Sequence, residues 1–299
     1  MTAENGIMYS GEGRETEASA SACPVPVARA ETAGAAEAAA EVPVERWVDG
    51  NITRTTDRVA EETPVALVYH DVPHVVMLAT PADLTDFAYG FSLSEELVAT
   101  PDEIRSVEVV STKEAVEVRL SIAWERFPEL LRRRRNLAGR TGCGLCGAET
   151  LEQAIRGRGS VGTGPEVTVA DLHAAIAQLA SVQHLNARTG SVHAAAWVIP
   201  GQGILCARED VGRHNALDKT IGALVRADVD LNAGYMLVTS RASYEMVQKA
   251  ATVGIAFMAA LSAPTAFAIR HAERSGLTLV AFARQNRHVV YAHPHRLVS

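Results

Sequence analysis

Residues 235–282 read YMLVTSRASYEMVQKAATVGIAFMAALSAPTAFAIRHAERSGLTLVAF, and their periodicity decides the fold. The short apolar runs Tyr235–Thr239, Ile255–Ala260 and Leu277–Phe282 have strand length. The stretches between them, Tyr244–Val253 and Pro264–Ser275, predict helices. Strands separated by helices of about ten residues predict a layered α/β sheet. Upstream, the spacing predicts a helix over Asn215–Ala227. Before it, Ala194–Ile199 and Ile204–Ala207 flank Pro200-Gly-Gln-Gly203 as a hairpin, and a helix over Val169–Gln183 comes first. Residues 166–299 are therefore expected to form one α/β domain.

The N-terminal half reads differently. Val65–Tyr69 and His74–Leu78 are strand-like around Asp71 and Pro73, and Thr80-Pro81 begins a helix through Leu84, Phe87, Ala88, Phe91 and Leu97. Val107–Val110 and Val116–Leu120 predict a second hairpin, giving a small α+β domain over residues 44–131. Residues 1–43 are rich in Ala, Glu, Gly and Ser and are expected to be a disordered tail, with Cys23 incidental. Residues 132–165 begin with four arginines, Arg132–Arg135, and contain eight glycines, which predicts a flexible connector.

The formal net charge is −7, of which residues 1–42 supply −5, from seven Glu against Arg14 and Arg29. The remainder is nearly balanced, which argues against nonspecific nucleic-acid binding. No export signal is read at the N-terminus. The charge-free stretch Ala250–Ile269 is broken by Gly254, Ser262, Pro264 and Thr265, so no membrane span is expected. The expectation is a cytoplasmic protein, where a close cysteine pair is catalytic or metal-binding.

That pair is Cys143-Gly-Leu-Cys146, flanked by Gly142 and Gly147. Two thiols at this spacing can form a disulfide, hold a metal or pass sulfur. Glycines leave the sulfurs open to a large partner, and nearby arginines favour the reactive thiolate. Structural zinc needs four ligands and there is no second such pair; Cys206 with His193 or His214 would have to complete it. A thioredoxin-like dithiol belongs at a strand-to-helix junction. Sulfur chemistry is the favoured reading, with no metal.

These residues resemble the formate dehydrogenase accessory sulfurtransferase family over roughly residues 45–295. The resemblance rests on Thr80–Leu84 leading to Gly90–Glu95, the Cys143–Gly147 loop and Thr189–Ala196. It rests equally on Arg208-Glu-Asp210-Val-Gly212-Arg213-His214-Asn215-Ala-Leu-Asp218-Lys219, Ser240–Val247 and Ser262–Thr265. The resemblance implies a persulfide-relay sulfurtransferase, with sulfur passing from a cysteine desulfurase to the bis-molybdopterin guanine dinucleotide form of the molybdenum cofactor. Formate dehydrogenase then receives the cofactor. It implies a cytidine deaminase-like fold for the larger domain, a homodimer, and Cys143 as persulfide carrier with Cys146 assisting. The family's cofactor-binding stretch falls on Phe282, Ala283, Arg284, Gln285, Asn286 and Arg287. The sequence departs from the family pattern at Glu96 and Ser191, where glycines are usual, and at Val289. A cofactor-binding chaperone whose cysteines only shield the ligand is the alternative.

The remaining motifs suit an anionic ligand. Asp210, Arg213 and His214 lie where a strand enters a helix, and Gly212 allows close backbone approach. A capping and ion-pair network with Asn215 as N-cap competes with that reading. Ser240, Arg241 and Ser243 occupy a second strand-to-helix junction, and Arg284 and Arg287 follow the last predicted strand. His193 lacks the Glu two residues on that a deaminase requires, so it is read as structural or pocket-lining.

Overall fold

The computed structural model describes residues 38–112, 114–137 and 161–299, with backbone alone for 133–137. Its larger sheet has six strands: β8 (His193–Ile199), β9 (Gly203–Asp210), β10 (Tyr235–Val238), β11 (Phe257–Ala260), β12 (Thr278–Arg284) and β13 (Arg287–Ala292). Their spatial order is β13-β12-β11-β10-β8-β9. β10, β11 and β12 run parallel, and an antiparallel hairpin closes each side.

Strict alternation splits the apolar residues between the two faces. Tyr235, Leu237, Phe257, Ala259 and Val280 pack against Leu172, Ala175 and Leu179 of α3 (Val169–Val182). Met236, Val238, Met258, Ala260, Leu279 and Ala281 face the other way. There they meet α5 (Arg213–Arg226), α6 (Tyr244–Thr252) and α7 (Ala266–Ser275) through Leu217, Ile221, Met246, Ala250, Ala268 and Ala272. A short helix, α4 (His184–Thr189), follows α3. This is the expected layered α/β arrangement.

The smaller sheet, order β4-β3-β6-β5, consists of β3 (Thr63–Tyr69), β4 (Val72–Ala79), β5 (Ile104–Ser111) and β6 (Val116–Ile122). Helix α1 (Leu84–Ser94) covers one face with Leu84, Phe87, Ala88 and Phe91. α1 also lies on α5 of the larger unit, backbone against backbone. A Cβ built on Gly90 would stand 1.7 Å from the Asp218 carbonyl oxygen, and one on Gly222 would stand 1.8 Å from that of Asp86. Only glycine at both positions permits this crossing.

Several boundaries differ from the sequence reading. Order begins before residue 44: β1 (Ala39–Val48) and β2 (Asn51–Ala60) form a hairpin that the composition did not reveal. Its turn, Asp49 (φ 49°) and Gly50 (φ 81°), has the two positive φ angles of a tight two-residue connection. The arginines of 132–135 are not connector but part of α2 (Phe127–Leu137), because arginine is a good helix former and the helix-breaking glycines start only at Gly139. Residues 161–165, read as connector, are packed into the larger unit: the Val161 amide donates to Ser275 O (3.0 Å), and Arg296 Nη2 donates to Gly162 O (3.0 Å). Two short strands, β7 (Val167–Thr168) and β14 (Leu297–Val298), pair in parallel nearby. α1 starts at Leu84, after Asp83 in the left-handed region, not at Pro81. Glu96, just after α1, adopts the left-handed region with φ 56°.

Candidate functional site

Because β10, β11 and β12 run parallel and β8 runs against β10, one edge of the large sheet collects a particular set of ends. They are the start of β8, the end of β9, and the carboxyl ends of the three parallel strands. The amino termini of α5, α6 and α7 open at this edge. Aligned amides and helix dipoles favour negative charge there.

The run Arg208–Lys219 divides between the interior and this edge. Asp210 is fully buried and wholly committed. It contacts Lys219 Nζ (2.6 Å) and accepts from Gly212 N (2.7 Å), Asn215 Nδ2 (3.0 Å) and Thr80 N (3.0 Å). The expectation that Asp210 contacts ligand is corrected: fully buried and held by four internal donors, it has no outward valence. Asn215 is not the N-cap either. Gly212 holds that position, and Asn215 Nδ2 reaches across to Leu78 O (2.9 Å) in the smaller sheet.

Lys219 Nζ also donates to Thr80 O (2.9 Å). Arg208 Nε donates to Asp86 Oδ2 (2.9 Å), whose other oxygen meets Arg226. Asp218 accepts from Ser94 Oγ (2.6 Å) and from Lys249 Nζ (2.9 Å). Against desolvation by burial, Asp218 and Glu95 hold the Lys249 pKa above the usual lysine range, so the cation persists. Most of the family's most specific run therefore joins the two sheets.

Arg213 and His214 face outward. His214 Nε2 lies 2.6 Å from Glu245 Oε2, and Arg213 Nη2 lies 4.0 Å from the same oxygen. Burial, then Arg241, push the Arg213 pKa down, with Glu245 opposing. Arg213 Nε is buried without a hydrogen-bond partner among the described residues. Burial lowers the His193 pKa, helped by Arg213, His214 and Arg241 and opposed by Asp210. Ser243 holds the N-cap position of α6, yet its Oγ makes no cap bond and is buried without a partner among the described residues. Ser240 Oγ donates to Arg241 O (3.1 Å). Arg213, His214, Arg241 and Ser243 thus gather around one edge with an excess of positive charge.

The sequence reading passed over Glu245 as a first-turn acid. It is the residue that orients His214 and Arg213, and burial raises its pKa less than His214 lowers it. The only signal for it was its place inside the run Ser240–Val247.

Phe282, Ala283, Arg284, Gln285, Asn286 and Arg287 lie at the same edge but on the α3 side. The sequence reading ended the sheet at Phe282; instead β12 continues to Arg284 and returns as β13, so these six residues are a hairpin tip. Alternation in β13 is blunted by Arg287 and His288, which hid the strand. Phe282 is 44% exposed with φ 49°, and its amide donates to Ser262 O (3.1 Å); Ala283 points into the core. Arg284 Nη1 donates to Leu261 O and to Ala283 O (3.0 Å). Arg284, Gln285, Asn286 and Arg287 line an open cleft of about 510 Å³ against Ile176. The two cationic patches are linked along the edge by Ala242 N to Ala263 O (3.2 Å) and by the Phe282–Ser262 bond, but they form no single pocket.

Cys143 and Cys146 lie outside the described residues. Cys206 is buried in the middle of β9 opposite Trp197, whereas His193 pairs with Asp210 further along the same two strands. A zinc site joining Cys206 to His193 is therefore ruled out by register. Among the described residues, no three His, Cys, Asp or Glu side chains gather as metal ligands. No helix among them is long and apolar enough to cross a membrane.

The model of the FdhD/NarQ family matches residues 60–298. The sulfur carrier protein FdhD of Cupriavidus necator is 52% identical over 254 residues, covering 85% of this chain and 88% of that protein. Its counterpart in Xanthomonas euvesicatoria is 49% identical, covering 85% and 90%. The crystal structure of a putative formate dehydrogenase accessory protein from Desulfotalea psychrophila shares the fold. Its TM-score is 0.69 at 22% identity, and the match covers 88% of this chain and 100% of that one. With the match running through both sheets and the edge between them, the chain belongs to the FdhD/NarQ family.

Proposed function

We propose that this protein is a sulfur carrier required for formate dehydrogenase activity. The observation that carries this reading is its identity, at about half of the aligned positions over 85% of the chain, to relatives named sulfur carrier proteins. In this reading the sulfane sulfur of a cysteine desulfurase persulfide passes to the Cys143 thiolate. One S–S bond breaks as another forms, with no net redox change, and Cys146 assists release. The chemistry suits the cytoplasm, where thiolates stay reduced.

The acceptor is the bis-molybdopterin guanine dinucleotide molybdenum cofactor, a substrate that carries two pyrophosphates. Two features support its binding at the sheet edge. Arg213 Nε and Ser243 Oγ are buried polar atoms with no partner among the described residues, and Arg284 and Arg287 open onto a cleft. Guanidinium groups pair with pyrophosphate through two parallel hydrogen bonds. Arg241 adds charge, and a homodimer would present each edge twice.

The test is to treat the protein with desulfurase and labelled cysteine and locate added sulfur by mass spectrometry. Reducible sulfur is expected on Cys143. If Cys143→Ala accepts as much label as wild type, the relay is wrong. If Cys143→Ala also restores formate dehydrogenase in a deletion strain, the protein is a cofactor-binding chaperone whose cysteines only shield the ligand.

A further inference from the structure

Two histidines meet beside the hairpin cleft. His173 lies on α3, one helical turn before Ile176, and its Nε2 stands 3.2 Å from Nδ1 of His288 on β13. His288 lines a second open cleft, of about 330 Å³, with Phe282, Arg287 and Val289, so Arg287 belongs to both clefts. Two imidazole nitrogens at this distance share a single proton, one ring donating and the other accepting. With His173 Nε2–H as donor, His288 keeps its own proton on Nε2.

The charged groups on the elements around the pair are few. Asp171 on α3 is committed to Thr168 Oγ1 (2.8 Å) and Gly201 N (3.1 Å), and Glu209 on β9 accepts from Leu185 N (2.7 Å) and Asn186 N (2.8 Å). Arg284 on β12 and Arg287 on β13 are cations. Among the described residues, neither ring is hydrogen-bonded to or paired with a carboxylate. Burial and His173 both push the His288 pKa down. A bound phosphate group would supply the missing negative charge.

We propose that the His173–His288 pair belongs to the ligand side of this cleft and takes up one proton from solvent when a phosphate-bearing anion binds against Arg284 and Arg287. This rests on the reading of the hairpin tip as the nucleotide-binding stretch. By linkage, the anion then binds more tightly as pH falls through the histidine range.

The probe is guanosine diphosphate, titrated calorimetrically into the full-length chain in two buffers of different ionisation heat. The nucleotide's own phosphate titrates in the same window, so wild type is compared with His173→Asn/His288→Gln and with His288→Gln alone. Near neutral pH, wild type is expected to take up more protons per bound nucleotide than either variant. Its affinity advantage should grow about three- to fivefold between about pH 7.5 and pH 6, tenfold being the limit that a one-unit pKa shift reaches only below both pKa values. Equal proton uptake with a pH-independent affinity ratio would overturn the inference, provided that Arg284→Ala/Arg287→Ala has lost binding. If that arginine variant binds the nucleotide as wild type does, the reading of the hairpin tip fails, and the inference with it.

Discussion

The seam between the two sheets and the open edge of the larger one use the same residue types to opposite ends. At the seam, Asp210–Lys219, Asp218–Lys249 and Asp86–Arg208 are matched pairs, closed in by Thr80, Ser94 and Asn215. At the edge, among the described residues, Arg213, Arg241, Arg284 and Arg287 outnumber the carboxylate of Glu245, and Ser243 Oγ stays unsatisfied. A buried charge lacking its partner is strongly destabilising, so the seam must be complete within the chain. The edge is left with its cations in excess, and under the proposed function an anionic ligand would supply the missing charge. One continuous run, Arg208–Lys219, feeds both regions, because a strand entering a helix turns successive side chains to different sides.

The largest test of this contrast is Lys219→Met, which leaves the buried Asp210 carboxylate without its cation. Urea denaturation is expected to show a loss of about 3–5 kcal/mol. A loss near zero would mean that the seam is not charge-locked.

Gly90→Ala comes next. Its methyl group would collide with backbone at the α1–α5 crossing, where neither helix can give way without repacking a core. The expected destabilisation is about 1–3 kcal/mol or more, read as a lower thermal midpoint. Gly50→Ala, in an open hairpin turn with φ 81°, is the control for backbone strain without collision.

At the edge, Arg241→Ala removes one of several uncompensated cations. Stability at neutral pH should change by less than about 0.5 kcal/mol, while guanosine diphosphate binding weakens. The same variant sharpens the electrostatic picture of His193. The folded pKa of His193 lies below its ordinary value, so the unfolded chain binds more protons there. His193 thus contributes stability that is lost as pH falls below about 6.5. Without Arg241 the His193 pKa should rise toward the ordinary value, seen by NMR titration, and the acid-side loss should shrink. An unmoved His193 would show that burial, Arg213 and His214 set its pKa without Arg241.

Much of the architecture was legible from residue order. The periodicity in 235–282 predicted three strands of a layered sheet and the helices between them, because both sheet faces are covered and each apolar run must bury itself. The hairpins around Pro200–Gly203 and Ser111–Glu114 were equally readable. The β1–β2 arm and β13 were not, since most of the arm is exposed and β13 carries arginine and histidine where a core strand would be apolar.

The sequence by itself determined the sheet class, the family resemblance, and which segments carry cations and thiols. Tertiary structure alone decided which of those polar residues face inward. Asp210 and His214 are four residues apart in one motif, yet one is sealed against Lys219 and the other opens beside Glu245. Spacing along the chain sets which side of an element a residue occupies, but burial depends on what a distant segment brings against that side. Here Thr80, just after β4, closes over Asp210, whereas α6 brings Glu245 to His214 and leaves the edge open.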